Sequence, residues 1–342
     1  MRGTLPATAL YILRRLGAVC LVLFGISSIT FLVTRVLGNP VYLLVGHQTS
    51  PEIVSTMTHR MGLDRPLYEQ YFRYLWSVAH GDLGVSRYTF RPVLDDIALR
   101  LPATLELVIC AMALIILLGV PLGMVAGLRR GTWMDHLAQA LSQMGASVPN
   151  FWLGLLLIYF LFFIIPAFPP PLGRLDDPSL APRAVTGLLL VDSLLAGNLR
   201  IFLSAFRHLI LPAVTLAAGA VPATIQITRD TLVQVLSSDY IRAALAYGMD
   251  KRSVYLRYAL KNTLVPVTTV LAMTMGFLMS GTVLVETVFS WPGLGLYAVT
   301  AMSHFDYEPI IAIVLLSALF YALAYLAADL LHFAIDPRLR VR

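Results

Sequence analysis

The chain has 342 residues, of which 58% are hydrophobic and only 13% charged, about half the charged share of an ordinary soluble domain. A mean hydropathy of +0.77 points instead to a protein built of several membrane-spanning helices. The net charge of +6 does not indicate nucleic acid, because the basic residues are not grouped as a nucleic-acid face needs; arginine anchoring the cytoplasmic side of a membrane bundle gives the same balance.

Arg14 and Arg15 precede an apolar stretch at residues 16–36. It resembles a signal peptide, but it is close to spanning length and no small-residue cleavage pattern closes it before Gly38-Asn39-Pro40, so it reads as an uncleaved first span. A polar segment with aromatics follows, in which residues 66–75 suit a short amphipathic helix lying against the membrane or packed in a small extramembrane lobe. Five further spans are expected at residues 103–128, 151–165, 209–228, 264–289 and 310–335. A polar helix at 133–147 leads into the third, and the Pro166 to Pro171 cluster closes it. Residues 172–205 form a second extramembrane insert, whose apolar piece before Ala196 is too short to span and is interrupted by Asp192. Cys20 and Cys110 lie in apolar runs and make no disulfide framework or thiol metal site.

Six spans put both termini on one side, and the arginines choose it. With the N-terminus cytoplasmic, the inner segments hold 14 Lys+Arg against 5 Asp+Glu, and the outer ones 11 against 11. Glu106, Glu286 and Asp329 fall inside apolar spans and read as structural or gate-lining carboxylates ahead of proton carriers.

The longest polar, basic interruption in the second half is Asp239 to Val267, which contains both lysines of the chain, Lys251 and Lys261. Ser237-Ser238-Asp239 offers N-cap residues. Ile241 and Leu245 share one helix face and Tyr240 and Ala244 another. Ala243-Ala244 makes a thin surface open to close approach, and Gly248 ends the helix as a left-handed cap. A second amphipathic segment, 252–262, runs into Pro266. Neither lysine follows a glycine, so neither belongs to a P-loop.

The Ala243-Ala244, Gly248 and Pro266 pattern resembles the EAA loop of ABC importer permeases. Arg242 stands at the usual glutamate position, and Asp239-Tyr240-Ile241-Arg242-Ala243-Ala244 is similar to the peptide-importer form. Gly62-Leu63-Asp64-Arg65-Pro66, Leu101-Pro102-Ala103-Thr104-Leu105-Glu106, His208-Leu209-Ile210-Leu211-Pro212, Glu286-Thr287-Val288-Phe289-Ser290-Trp291-Pro292-Gly293 and the terminal Asp336-Pro337-Arg338 extend the likeness in family order. The chain is thereby identified as similar to B-type permeases of the dipeptide/oligopeptide (peptide/nickel) importer family.

That resemblance implies an all-α membrane protein, a type I ABC importer transmembrane domain with six transmembrane helices and an extracytoplasmic lobe between helices 1 and 2. Its parts are a cytoplasmic N-terminus and first helix (1–36), the lobe (37–101), a permease core (102–335) with an EAA coupling loop (239–266), and a cytoplasmic tail (336–342). It implies ATPase coupling by Asp239, Tyr240, Ile241, Arg242, Ala243, Ala244, Leu245, Gly248 and Met249. An outer gate or translocation path is expected to be bordered by Glu286, Phe289, Trp291, Pro292 and Gly293, against an interfacial belt and tight turn as the bland alternative. The expected partners are a second, C-type permease, ABC ATPase subunits that carry ATP and magnesium, an extracytoplasmic solute-binding protein and the lipid of a bacterial plasma membrane, with no nucleic acid. Peptides are the expected solute, with nickel chelates, haem or glutathione as alternatives. A self-contained secondary transporter would need an ion site or inverted repeat, which is not evident. No HExxH pair or GxSxG elbow supports an enzyme or a metal site.

Overall fold

The computed structural model describes residues 7–32, 50–60 and 62–335. Among them every regular element is helical, apart from one isolated bridge between Val85 and Pro92. The first helices are α1 (Ala7–Leu32), α2 (Pro51–Arg60) and α3 (Leu67–Ala79). Next come α4 (Val93–Leu128), α5 (Trp133–Ser147) and α6 (Asn150–Ile164). The insert carries α7 (Leu189–Leu195) and is followed by α8 (Leu199–Ala218), α9 (Val221–Leu236) and α10 (Asp239–Ala246). After a start at Lys251–Ser253 and a π segment at Val254–Ala259, α11 runs over Leu260–Val288. The last are α12 (Leu294–Ser303) and α13 (Tyr307–Ile335).

Five stretches are long and apolar enough to cross a membrane: Leu13–Leu32, Val93–Leu128, Leu199–Ala218, Lys251–Met279 and Tyr307–Ala327. The pair α5 and α6, bent by 97°, makes a sixth if counted as one span. The all-α, six-span architecture expected from the apolar runs is therefore present, with different internal breaks. The fourth span was expected as one helix at 209–228, but the chain divides it into α8 and α9 around Gly219 and Ala220. Pro222 has no N–H to give the carbonyl one turn back, which weakens the ladder there. In the fifth span, Pro266 does not stop the helix; it lies inside α11, and the helix begins well before it. The tail at 336–342 and residues 33–49 of the first span and lobe lie outside the described residues.

The main core joins α4, α8 and α11. Leu107, Val108, Ala111 and Ile115 pack with Leu209, Leu216, Leu278, Val285, Phe289 and Trp291. On the other side of α11 lies α13, which also meets α1. In the second half of α4, Gly119, Gly123 and Gly127 present their bare backbone to α9. A Cβ at Gly123 would stand 2.6 Å from the Ile225 carbonyl oxygen, and one at Gly119 would stand 2.8 Å from Thr224. This small-residue stripe lets two membrane helices meet backbone to backbone.

In the insert, Asp192 is buried and accepts from the amides of Val185, Thr186 and Gly187. Burial opposes its charge, but those amide bonds win and hold the carboxyl below its ordinary range. The turn's contribution is therefore present at neutral pH and is lost as pH falls through that lowered value.

Candidate functional site

The polar interruption folds as a short helix with one face on the bundle and one face free. The helix opens at Ser238, whose carbonyl accepts from the Arg242 amide. Its hydroxyl does not cap, contrary to the expectation from Ser237-Ser238-Asp239; it donates back to the Val235 carbonyl at 2.5 Å. Asp239 places negative charge in the first turn, where the helix dipole favours it. The C-terminus closes as a Schellman motif, with the Met249 amide donating to the Ala244 carbonyl at 3.2 Å and the Gly248 amide to Leu245 at 3.0 Å. Gly248 takes the required left-handed conformation at φ +80°.

Ile241 is buried against Leu232 of α9 and Val254 and Ala259 of the π segment, with Ala244 and Leu245 half-buried beside it. Burying a side chain of this size stabilises the seat of α10 by about 1.5–3 kcal/mol. Asp239, Tyr240, Arg242, Ala243, Gly248 and Met249 are exposed. The Tyr240 hydroxyl accepts from Asn262 at 2.9 Å, pinning α10 to the start of α11. Arg242 lies 3.2 Å from Asp239 and donates to the Ser237 carbonyl. Tyr247, outside the set of residues expected to couple, is 90% exposed at the tip of α10. Its position four residues after outward-facing Ala243 was the signal available.

The ground under α10 is stiff. Arg229 of α9 grips Asp135 of α5 with two bonds, Nε to Oδ1 at 2.6 Å and Nη2 to Oδ2 at 2.9 Å. A third bond runs from its Nη1 to Asp230 at 2.7 Å. Asp135 is buried and also accepts from the Gly131 amide and Gln139. A bidentate pair with all its lone pairs engaged fixes the relative orientation of two helices.

The residues expected at an outer gate lie together at the opposite end of α11. Glu286 is buried; it accepts from Thr104 at 2.7 Å and from the Leu296 amide at 3.0 Å. Thr104 in turn accepts from the Leu294 amide at 2.8 Å. Trp291 is buried, and its indole N–H donates to the Ala103 carbonyl at 2.8 Å. Phe289 and Gly293 are buried as well, while Pro292 is exposed. A Cβ at Gly293 would stand 2.4 Å from Thr104 and 2.5 Å from Glu286. Four of the five thus form a knot that ties α12 and the end of α11 to α4. Glu106, one turn further along α4, binds Arg174 at 2.5 Å and the Leu190 amide at 2.7 Å, fastening the insert beside it. The side chain of Asp329 lies outside the described residues.

The knot makes a prediction with an internal control. Trp291→Phe keeps most of the buried ring and loses the hydrogen bond, at a cost of about 1 kcal/mol. Trp291→Ala also empties the site and costs about 3–5 kcal/mol. Thermal unfolding of the purified protein should place the Phe variant near wild type and the Ala variant far below.

A family model described as binding-protein-dependent transport system inner membrane component matches residues 119–341, and one for the N-terminal part of such membrane components matches residues 9–108. Similar curated proteins include the probable D,D-dipeptide transport system permease protein DdpB of Escherichia coli K12, 42% identical over 327 residues and covering 95% of this chain and 96% of the relative. The dipeptide transport system permease protein DppB of the same organism is 38% identical over 334 residues, covering 96% and 98%. The glutathione transport system permease protein GsiC of Escherichia coli O6:H1 is 34% identical over 333 residues, covering 97% and 99%.

Proposed function

The chain belongs to the family of binding-protein-dependent transport system inner membrane components, and on that premise we propose that it is the permease subunit of an ATP-driven importer of short peptides. The observation that carries the solute class is end-to-end similarity to permeases named for dipeptide transport. Glutathione, named for a third relative, is itself a short peptide, so the three names share one chemistry. This chain is the membrane path and not an enzyme; ATP and magnesium sit on separate ATPase subunits. A solute-binding protein delivers on the outer side, and a second, C-type permease completes the path. Both termini are cytoplasmic, in keeping with the arginine excess on the inner segments. That orientation supports residues 239–266 as the coupling loop and puts residues 37–101 on the extracytoplasmic side.

The free face of α10, with Ala243, Tyr247 and Met249, is the surface that meets the ATPase. When the ATPases close, α10 is pushed and carries α9 with it through Ile241 and Leu232. α9 drags the second half of α4 through the glycine stripe and α5 through the Arg229–Asp135 pair. The irregular points of these helices lie at one level, which suits a shared hinge. Gly119, ending the π turn of α4, faces Thr224; Gly145 of α5 faces Pro222; Gly219, at the α8–α9 break, faces Asn150 beyond the α5–α6 bend. Rocking about that level exchanges inward-open and outward-open states. At the other end, the Glu286–Trp291 knot is the fixed abutment beside the outer gate, with Pro292 at its exposed edge.

The test is uptake by the complete transporter in proteoliposomes. Labelled dipeptide should enter only with ATP inside and loaded binding protein outside, with glutathione as the competing solute. Uptake by this chain alone, driven by an ion gradient, would refute the assignment in favour of a secondary transporter.

A further inference from the structure

Between the first and second spans, α3 carries an exposed aromatic stripe, and its packing on α1 sets its depth. The Tyr71 hydroxyl of α3 lies 2.6 Å from Ser28 and 3.3 Å from Ser27. Its ring stands edge-on to Phe24 and Phe31, at centroid distances of 5.9 and 5.1 Å, and Tyr74 meets Phe31 at 5.8 Å. All four α1 residues belong to the apolar stretch Leu13–Leu32. At 1.5 Å per residue, Phe24 lies about 12 Å before Leu32 along the helix axis. Where α1 meets neither α3 nor α13, Leu21, Ile29 and Leu32 are all well exposed. A helix held against Phe24 to Phe31 is therefore level with the bilayer and not a lobe standing above it.

On the free side of α3, Tyr68, Phe72 and Trp76 repeat every four residues and are 68%, 67% and 69% exposed. Next round the helix, Glu69 bridges Arg65 at 2.5 Å and Arg73 at 3.1 Å. Aromatic rings with polar edges beside a row of charges is the composition of a helix lying in the membrane interface. The neighbouring α1 exposes Leu21, Ile29 and Leu32, apolar side chains of the same lipid-compatible kind.

We propose that α3 is an interfacial helix. Its Tyr68, Phe72 and Trp76 face is covered by phospholipid, within the leaflet that the C-terminal half of α1 crosses. This goes beyond the transport assignment and is independent of which solute is carried.

Spin labels at Phe72→Cys, Trp76→Cys and Arg73→Cys, each placed singly in a chain with Cys20 and Cys110 replaced by alanine, test it in the assembled transporter in phosphatidylcholine–phosphatidylglycerol nanodiscs. Labels at 72 and 76 should collide with oxygen several-fold more readily than with a water-soluble nickel chelate, and the label at 73 should show the reverse. High nickel access at 72 and 76 would place the stripe in water. Immobilised labels there, shielded from both reagents, would place a protein against it; either outcome overturns the proposal. A second measurement avoids the labels. Tryptophan quenching by lipids brominated on the acyl chain, taken as wild type minus Trp76→Phe, should show a quenched component from Trp76, and its absence would also overturn the proposal.

Discussion

Gly248→Val should leave the transporter assembled in the membrane and reduce ATP-driven uptake about tenfold or more. A Cβ at Gly248 would meet nothing within 4 Å, so the substitution does not collide with the bundle. Its effect is on the backbone. The residue sits at φ +80°, where an L-residue costs about 1–2 kcal/mol and a β-branched one is a true outlier. The chain would escape by giving up the Schellman bonds from Gly248 and Met249 to Leu245 and Ala244, turning the tip of α10 away from its partner. Since about 1.4 kcal/mol is a tenfold change in an equilibrium, the loss of the docked geometry has the stated size. Gly248→Asn, which tolerates the left-handed region, should retain much more uptake. Comparing uptake per ATP hydrolysed across the three proteins separates uncoupling from misfolding, which would lower both quantities together.

The second large effect is expected at the Asp135–Arg229 pair. Removing Arg229 leaves a buried carboxylate without its counter-ion, a change that destabilises by about 3–5 kcal/mol. Arg229→Ala should thus lower the thermal midpoint sharply. The double variant Asp135→Leu with Arg229→Met replaces the pair by apolar side chains of similar reach and should recover most of the stability. Uptake by the recovered double variant then reports on mechanics. If the pair only holds α5 to α9, uptake returns with stability. If the directional grip of the two bonds carries the motion of α10 into α5, uptake stays low although the protein is stable.

The parts legible in the sequence are those written locally. Apolar runs of spanning length mark the spans, and the cap at Gly248 with Ile241 and Leu245 on one face predicts α10, because each relation spans a few residues. What the sequence hides is set across long separations. Glu286 reads as a lone carboxylate in a greasy helix, because its partner Thr104 is 182 residues away. Trp291 reads as a belt or gate residue, because its hydrogen-bond acceptor is the backbone of Ala103. The break at Gly219 and Ala220 is only half legible: Pro222 signals it, but the close approach of Asn150 to Gly219 belongs to the tertiary packing. α12 escaped because it is ten residues long and opens with two glycines around Leu294. Ser238 shows the opposite error, a cap residue in the right place whose hydroxyl finds a nearer acceptor at Val235.

The central claim is that α10 is where force from the ATPase enters this chain, and Tyr247 tests it most directly. In a chain lacking Cys20 and Cys110, Tyr247→Cys should react rapidly with a water-soluble maleimide when the permease is purified alone, as its 90% exposure requires. In the complete transporter the same thiol should be protected at least about tenfold by the docked ATPase, with protection changing on addition of ATP. Equal reactivity in the isolated permease and the complete, transport-competent complex would contradict the claim.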